Sequence, residues 1–270
     1  ANRLVFSKWR DGVGGKLRFF VSGGAPLSKK LSYAFWAAGI PILQGYGMTE
    51  ACVVSANRPE DNKVGSIGTP FTGIEMRINE SDGEILIRGE NVMTGYYKNP
   101  DETARVLDHD GFYHTGDVGY RDHDGHFYVT DRLKDLFKLS NGKYVAPLQV
   151  ESLLKQSPLV SQAVVVGSGR KQVGALIVPD WDALKEALRE DGITLEGSRE
   201  ELSSNAQVVK RVQRDAVDLT RELSDYERVK RVYLLPREFS IDKGEMTPTL
   251  KIKRSVIDEK YEEAIDQICG

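Results

Sequence analysis

The chain has 270 residues, 37 of them basic and 40 acidic, for a formal net charge of −3. That near balance argues against a general nucleic-acid binder, so an anionic ligand must be held by local groups. The two cysteines, Cys52 and Cys269, lack metal-ligand spacing and suit a reducing cytosol.

No apolar run approaches the ~18 residues of a membrane span, and a peripheral membrane contact is compatible with the sequence. The length exceeds one typical domain. The chain begins at Ala1 without an initiator methionine, which suggests a fragment.

In chain order, LRFFVSGGAPLS (residues 17–28) reads as a short buried strand entering a Gly-Gly-Ala-Pro turn. SKKLSYAFWAAG then has helical spacing with Gly39 as its stop. IPILQGYGMTEA (residues 40–51) is expected to repeat this βα theme, with a glycine turn before Met48, Thr49 and Glu50. Such alternation implies parallel α/β structure, with ligands at the carboxyl ends of strands. Either glycine loop alone is adequately explained as a tight turn.

From Gly65 short β-prone runs are punctuated by Gly, Pro and Asn, as in a small antiparallel β subdomain, a distorted barrel. Only NPDETARVL has a helical look, opened by Pro100. VGYRD and HFYVT around a His-Asp-Gly turn form a hairpin signal. A cationic run with Arg132, Lys134 and Lys138 follows, and then a glycine bend at Ser140-Asn141-Gly142.

Pro147 heads a helix over VESLLKQ. LVSQAVVVG and VGALIVP read as strands, WDALKEALRED as an amphipathic helix stopped by Gly192, and charged helices extend from Ser198 to about Glu222. VKRVYLLP is a last strand and SVIDEKYEEAIDQI one closing helix. Between them lies KGEMTPTLKIKR, with Lys243, Lys251, Lys253 and Arg254. The expected organisation is residues 1–64 as the end of a large α/β domain, 65–131 as the β subdomain, and 132–270 as a separate α+β domain.

Chemistry is narrowed mostly by exclusion. His114, His123 and His126 have no cysteine partner and no HExxH-like pattern, so they are expected as solvent-facing turn residues, not metal ligands. No G-x-S-x-G elbow is present, and neither Gly15-Lys16 nor Gly142-Lys143 completes a Walker loop. What remains is a carboxylate, Asp117, followed fifteen positions on by the guanidinium of Arg132, a pair suited to gripping a ribose. Taken alone it reads equally well as a surface hairpin with a salt-bridged loop.

Together SGGAPL, QGYGMTEA, YHTGDVG, DRLKDLFKLSNGKYVAP and TPTLKIKR resemble the adenylate-forming superfamily, and within it the long-chain fatty-acid–CoA ligases. The motifs occur in family order across nearly the whole chain. The family's N-terminal half, with its Ser/Thr/Gly-rich phosphate loop, has no counterpart in the sequence and is expected to pack on residues 1–131.

The resemblance implies that a fatty acid attacks ATP to give an acyl-adenylate, which CoA then takes up. In that scheme Tyr46 stacks on adenine, with Gly47 beside it in the nucleotide set and Gly23, Gly24, Ala25 and Pro26 closing the other side. Asp117 and Arg132 hold the ribose and Val129 packs near the base. Glu50 holds Mg²⁺ and Thr49 bonds phosphate. Lys251 bridges the attacking carboxylate and the α-phosphate.

Lys134 takes the family's hinge position, about which a small domain rotates between half-reactions. Gly142 lets the pantetheine arm pass, and Lys138 acts in the second half-reaction. The run between Arg132 and Gly142 is one residue longer than in short-chain relatives. The alternatives are transfer to an acyl-carrier protein, or a fragment that binds nucleotide without turnover.

Overall fold

The computed structural model describes residues 5–193 and 196–270. The chain divides into two compact units, Ala1–Leu133 and Lys134–Gly270.

The first unit begins with helix α1 (Ser7–Gly12), followed by strand β1 (Phe20–Ser22), helix α2 (Lys29–Ala37) and strand β2 (Ile42–Met48). Ser28 caps α2 through its side chain, as its position before the helical pattern implies. β1 and β2 pair in parallel, so one βαβ crossover is present.

The second strand departs from expectation. β2 runs straight through the glycine-containing QGYGM and turns back as strand β3 (Cys52–Ala56), antiparallel to it. No helix follows it directly. The physical reason is a tight loop, Thr49-Glu50-Ala51, closed by Cys52 at a φ of 50°, which returns the chain at once. Gly47 faces this return: a Cβ there would lie 2.0 Å from the Cys52 carbonyl oxygen. Glycine is thus required at position 47 by the approach of the two strands.

Strand β4 (Thr69–Pro70) completes this sheet in the order β1-β2-β3-β4. A second, antiparallel sheet follows, built from β5 (Ile74–Ile78), β6 (Glu84–Gly89), β7 (Tyr113–Arg121) and β8 (Phe127–Arg132) in sequence order. Helix α3 (Pro100–Val106) lies between β6 and β7, with Asn99 as its cap and Pro100 in its first turn. An apolar cluster of Ala51, Val54, Ile67, Met76, Ile85, Ile87 and Phe127, with Tyr46, Met48 and Val129 packed on it, joins the β2–β3 hairpin to this sheet.

Gly119, in the middle of β7, meets strand β8 closely. A Cβ there would fall 2.0 Å from the Tyr128 carbonyl oxygen and 2.9 Å from the Ile85 side chain. Gly119→Ala should therefore splay the β7–β8 hairpin, at a cost of about 1–3 kcal/mol or more for overpacking. Denaturant titration checks this; an unchanged midpoint would mean that the hairpin absorbs the methyl group.

The second unit opens with a small hairpin, β9 (Phe137–Lys138) against β10 (Tyr144–Val145). Helix α4 (Pro147–Leu154) and strands β11 (Val160–Val166) and β12 (Val173–Pro179) follow, then helices α5 (Trp181–Glu190), α6 (Arg199–Ser203) and α7 (Ala206–Thr220). Strand β13 (Val229–Leu234) and helices α8 (Arg254–Lys260) and α9 (Glu262–Cys269) complete it. β12 is buried at every residue. It pairs antiparallel to β11 and parallel to β13.

One apolar cluster on this sheet includes Trp181, Leu184, Val208 and Val212 of α5 and α7; another includes Ile257, Ile265 and Ile268 of α8 and α9. The closing segment, expected as one helix, breaks at Tyr261, whose φ of −114° and ψ of 22° leave the helical region. The hydroxyl of Tyr261 is tied to Glu245 at 2.9 Å.

Among the described residues no helix is long and apolar enough to cross a membrane.

Candidate functional site

The first unit brings Asp117 and Arg132 into direct register across the β7–β8 hairpin. Fifteen residues of sequence thus become one cross-strand pair, and Arg132 Nε lies 3.3 Å from Asp117 Oδ1. The other carboxylate oxygen, Oδ2, accepts a 2.6 Å hydrogen bond from the Tyr46 hydroxyl on β2. Burial, and next the Asp117 charge, push that hydroxyl far above the ordinary phenol range. Tyr46 therefore keeps its proton and donates. Asp117 is 8% exposed.

The turn that carries Asp117 is itself clamped. Thr115 Oγ1 donates to the Ile85 carbonyl at 2.7 Å and accepts the Asp117 N–H at 3.0 Å. The buried Glu84 accepts the Gly116 N–H on Oε1 and faces His114 Nδ1 from Oε2, both at 2.7 Å.

The histidine expectation is thereby corrected for two of three residues. His114 is half-buried against Glu84. His126 is 1% exposed, at the close of the hairpin turn, where its N–H donates to Asp122 Oδ1. Both lie where the strands pack, and hairpin turn chemistry alone does not reveal that. His123 is exposed, as expected.

Thr49 and Glu50 sit at the tip of the β2–β3 loop, Thr49 exposed and Glu50 half-buried. The Tyr96 hydroxyl donates to Glu50 Oε1 at 3.0 Å. Burial, the hydrogen bond with Tyr96, and the charges of Glu50 and Asp117 all push the Tyr113 hydroxyl up. One tyrosine thus feels both candidate carboxylates. Gly23, Gly24, Ala25 and Pro26 form the exposed loop at the carboxyl end of β1, with Gly24 at a φ of 81°. Val129 of β8 packs on the same apolar cluster as Tyr46.

Among the described residues no group of three or more His, Cys, Asp or Glu side chains forms a metal site. A cation at Glu50 would have to draw its remaining ligands from phosphates and water, as Mg²⁺ commonly does. The hard carboxylate fits that role. An open depression of about 430 Å³ lined by Met76, Arg77, Ile78, Tyr120 and Arg121 contains none of the candidate residues.

The remaining candidates belong to the second unit. Lys134 is exposed in a 3-10 turn (Leu133–Asp135). Lys138 is exposed on β9, its ammonium 5.6 Å from the Tyr144 ring centre, and Gly142 closes the β9–β10 bend at a φ of 85°. Lys251 is exposed on a short loop whose ends meet as a Met246–Ile252 bridge. The structure thus gathers Tyr46, Asp117, Val129 and Arg132 around one hairpin, and places Lys134, Lys138, Gly142 and Lys251 in the other unit.

Residues 4–97 match the AMP-binding enzyme family and residues 134–269 match the AMP-binding enzyme C-terminal domain. The chain belongs to the family of AMP-binding enzymes. Long-chain fatty-acid–CoA ligases are among its homologues. It is 37% identical over 268 residues to long-chain-fatty-acid–CoA ligase FadD15 of Mycobacterium bovis, covering 99% of this chain and 44% of that protein. It is also 37% identical to long-chain-fatty-acid–CoA ligase 5 of Rattus norvegicus, covering 94% of this chain and 39% of that one. The chain therefore spans less than half the length of either relative.

Among solved structures, the A domain of carboxylic acid reductase from Segniliparus rugosus, in complex with AMP and a co-purified carboxylic acid, superposes with a TM-score of 0.75. It shares 28% identity over 98% of this chain and 41% of that chain.

Proposed function

We propose that the protein activates a long-chain fatty acid with ATP to an acyl-adenylate and pyrophosphate, and passes the acyl group to CoA. The observation that carries this reading is the Asp117 carboxylate, held between the Tyr46 hydroxyl and the Arg132 guanidinium. A carboxylate offers about four acceptor sites, enough to bridge protein donors and the two hydroxyls of a ribose. Tyr46 presents an aromatic face to the base, and the backbone of residues 23–26 closes its far side. Glu50 supplies a hard oxygen to Mg²⁺ and Thr49 a hydroxyl to phosphate.

Lys251 stabilises the charge that builds between the carboxylate and the α-phosphate. Lys138 and the Gly142 bend serve the thioester step, and Lys134 is the hinge. The further proposed division places residues 1–64 in the large domain, 65–131 in the β subdomain and 132–270 in the mobile domain.

The test is an assay of the full-length protein carrying this sequence, with ATP, Mg²⁺, palmitate and CoA, that follows pyrophosphate and thioester together. Pyrophosphate and thioester in equal amounts support the reading. The 270 residues alone are expected to yield no thioester, because the sequence shows no counterpart of the family's phosphate loop, and positioning supplies most phosphoryl-transfer catalysis. The likeness to a carboxylic acid reductase domain favours a second reading, in which an acceptor other than CoA takes the acyl group. Pyrophosphate without thioester, and acylation of an added carrier protein, would select it.

A further inference from the structure

The loop that presents Lys251 is fastened at both ends more heavily than a surface loop requires. At its start stands Glu245, 0% exposed. Its Oε2 accepts from Arg237 Nη1 at 2.9 Å and from the Ser240 N–H at 3.1 Å. Its Oε1 accepts from Arg237 Nη2 at 2.8 Å and the Tyr261 hydroxyl at 2.9 Å, with Lys260 Nζ 2.8 Å away. Burial pushes this carboxyl up, yet Arg237, Lys260, Ser240 and Tyr261 together hold it well below the usual carboxylate range. The backbone of Glu245 takes part too, its carbonyl accepting the Lys253 N–H at 2.9 Å.

Just past the loop, Arg254 Nη2 donates to the buried Glu151 at 2.7 Å and Arg254 Nη1 to the Val165 carbonyl at 3.1 Å. Met246 and Ile252 anchor the intervening ends in the apolar cluster with Phe239 and Ile257.

Inside these fastenings the loop has its own set geometry. Thr247 N–H donates to the Lys251 carbonyl at 2.8 Å and Leu250 N–H to the Thr247 carbonyl at 2.9 Å. The Lys251 N–H donates to Thr247 Oγ1 at 3.1 Å. Leu250, 67% exposed, sits at a φ of 59°, a conformation a branched side chain adopts only when its surroundings impose it. A buried ion pair contributes little net stability over an apolar replacement, so stability alone does not account for a carboxylate that takes five donor atoms from four residues beside this loop.

The geometry points to Glu245, with its Arg237–Lys260–Tyr261 socket, as the positioning residue that sets the place of the Lys251 ammonium. This inference rests on the reading of Lys251 as the group acting in acyl-adenylate formation. Glu245, fully buried, is placed to hold the loop and not to touch substrate. Its effect reaches the reaction through the chain between Glu245 and Lys253, and a misplacement near 1 Å costs up to about a hundredfold in rate.

The experiment compares Lys251→Ala, Glu245→Gln, Lys260→Met and Tyr261→Phe in the protein carrying this sequence, with folding followed by circular dichroism. Two half-reactions are measured separately: pyrophosphate release from ATP with palmitate, and thioester formation from supplied palmitoyl-adenylate and CoA. Glu245→Gln is expected to lower kcat for pyrophosphate release by tenfold or more with KM for ATP unchanged, and to leave the second half-reaction within about twofold. Tyr261→Phe, which keeps the ring packing and loses one donor, and Lys260→Met, at the socket's rim, should show the same split in milder form, so the comparison survives if Glu245→Gln fails to fold.

Equal loss of both half-reactions in the folded socket variants would assign the socket to general structure and overturn the proposal. So would unchanged pyrophosphate release beside a Lys251→Ala variant that has lost it. If Lys251→Ala itself shows no split, the reading of Lys251 fails first, and that result is recognisable because it does not depend on the socket variants.

Discussion

In the full-length protein carrying this sequence, Lys251→Ala should abolish acyl-adenylate formation while thioester formation from a supplied acyl-adenylate continues. The lysine side chain is exposed on its loop, so its removal leaves neither a cavity nor an unpaired buried group. On the proposed reading, what is lost is a cation aimed at charge that appears only as the carboxylate attacks phosphorus. Removing one such preorganised group typically costs about 10²–10³ in kcat. The second half-reaction leaves from a mixed anhydride already formed and makes no such demand. Pyrophosphate release and thioester formation, measured side by side on the purified variant, decide the matter; equal loss in both with the fold intact would remove Lys251 from the first step.

Asp117→Ala should weaken AMP binding by an order of magnitude or more. Charge-assisted hydrogen bonds contribute about 1.5–3 kcal/mol each, and about 1.4 kcal/mol is tenfold in affinity. The substitution also takes away the acceptor of the Tyr46 hydroxyl and the partner of Arg132, so the groups left behind lose their alignment. Asp117→Asn, which keeps the shape but turns a donor toward one of those groups, should bind nearly as poorly. Isothermal calorimetry with AMP measures both; wild-type affinity in either variant would exclude the carboxylate from the ribose site.

Acid should act on the second unit through Glu245. Its folded-state carboxyl lies below the ordinary value of 4.5, so its stabilising contribution is complete above that pH and is lost as pH falls below it toward the folded-state value. Denaturant midpoints should therefore drop between about pH 5 and pH 3, and more gently in Glu245→Gln than in the parent. Parallel slopes in the two proteins would show that other carboxylates govern acid unfolding.

Much was determined by sequence alone. Local signals set most elements: Ser28 before an apolar-periodic run, Asn99-Pro100 at a helix start, and a Gly-containing turn between β-prone runs at residues 122–126 all specify backbone conformation within a few residues. The order of the motifs was sufficient for the family, and Asp117 and Arg132 stood out because one hairpin turn is enough to pair them.

Other features needed the third dimension. Whether β2 led to a helix or a hairpin depended on the closeness of Gly47 to the Cys52 carbonyl. That Tyr46 donates to Asp117 required two segments 71 residues apart to meet, with Tyr46 and the β8 partner of the Asp117 strand packed on one apolar cluster. Glu84 and Glu245 carry no sign of their role in a linear reading, since a carboxylate beside glycine, as in DGEILIRG and KGEMTP, reads as solvated turn charge. A buried carboxylate is recognised by the donors that converge on it. For Glu245 those come from Arg237 and Ser240 in one stretch of chain and Lys260 and Tyr261 in another, which only the packing of α8 and α9 beneath the sheet draws together, because burial of the charge forces every donor within reach to be used.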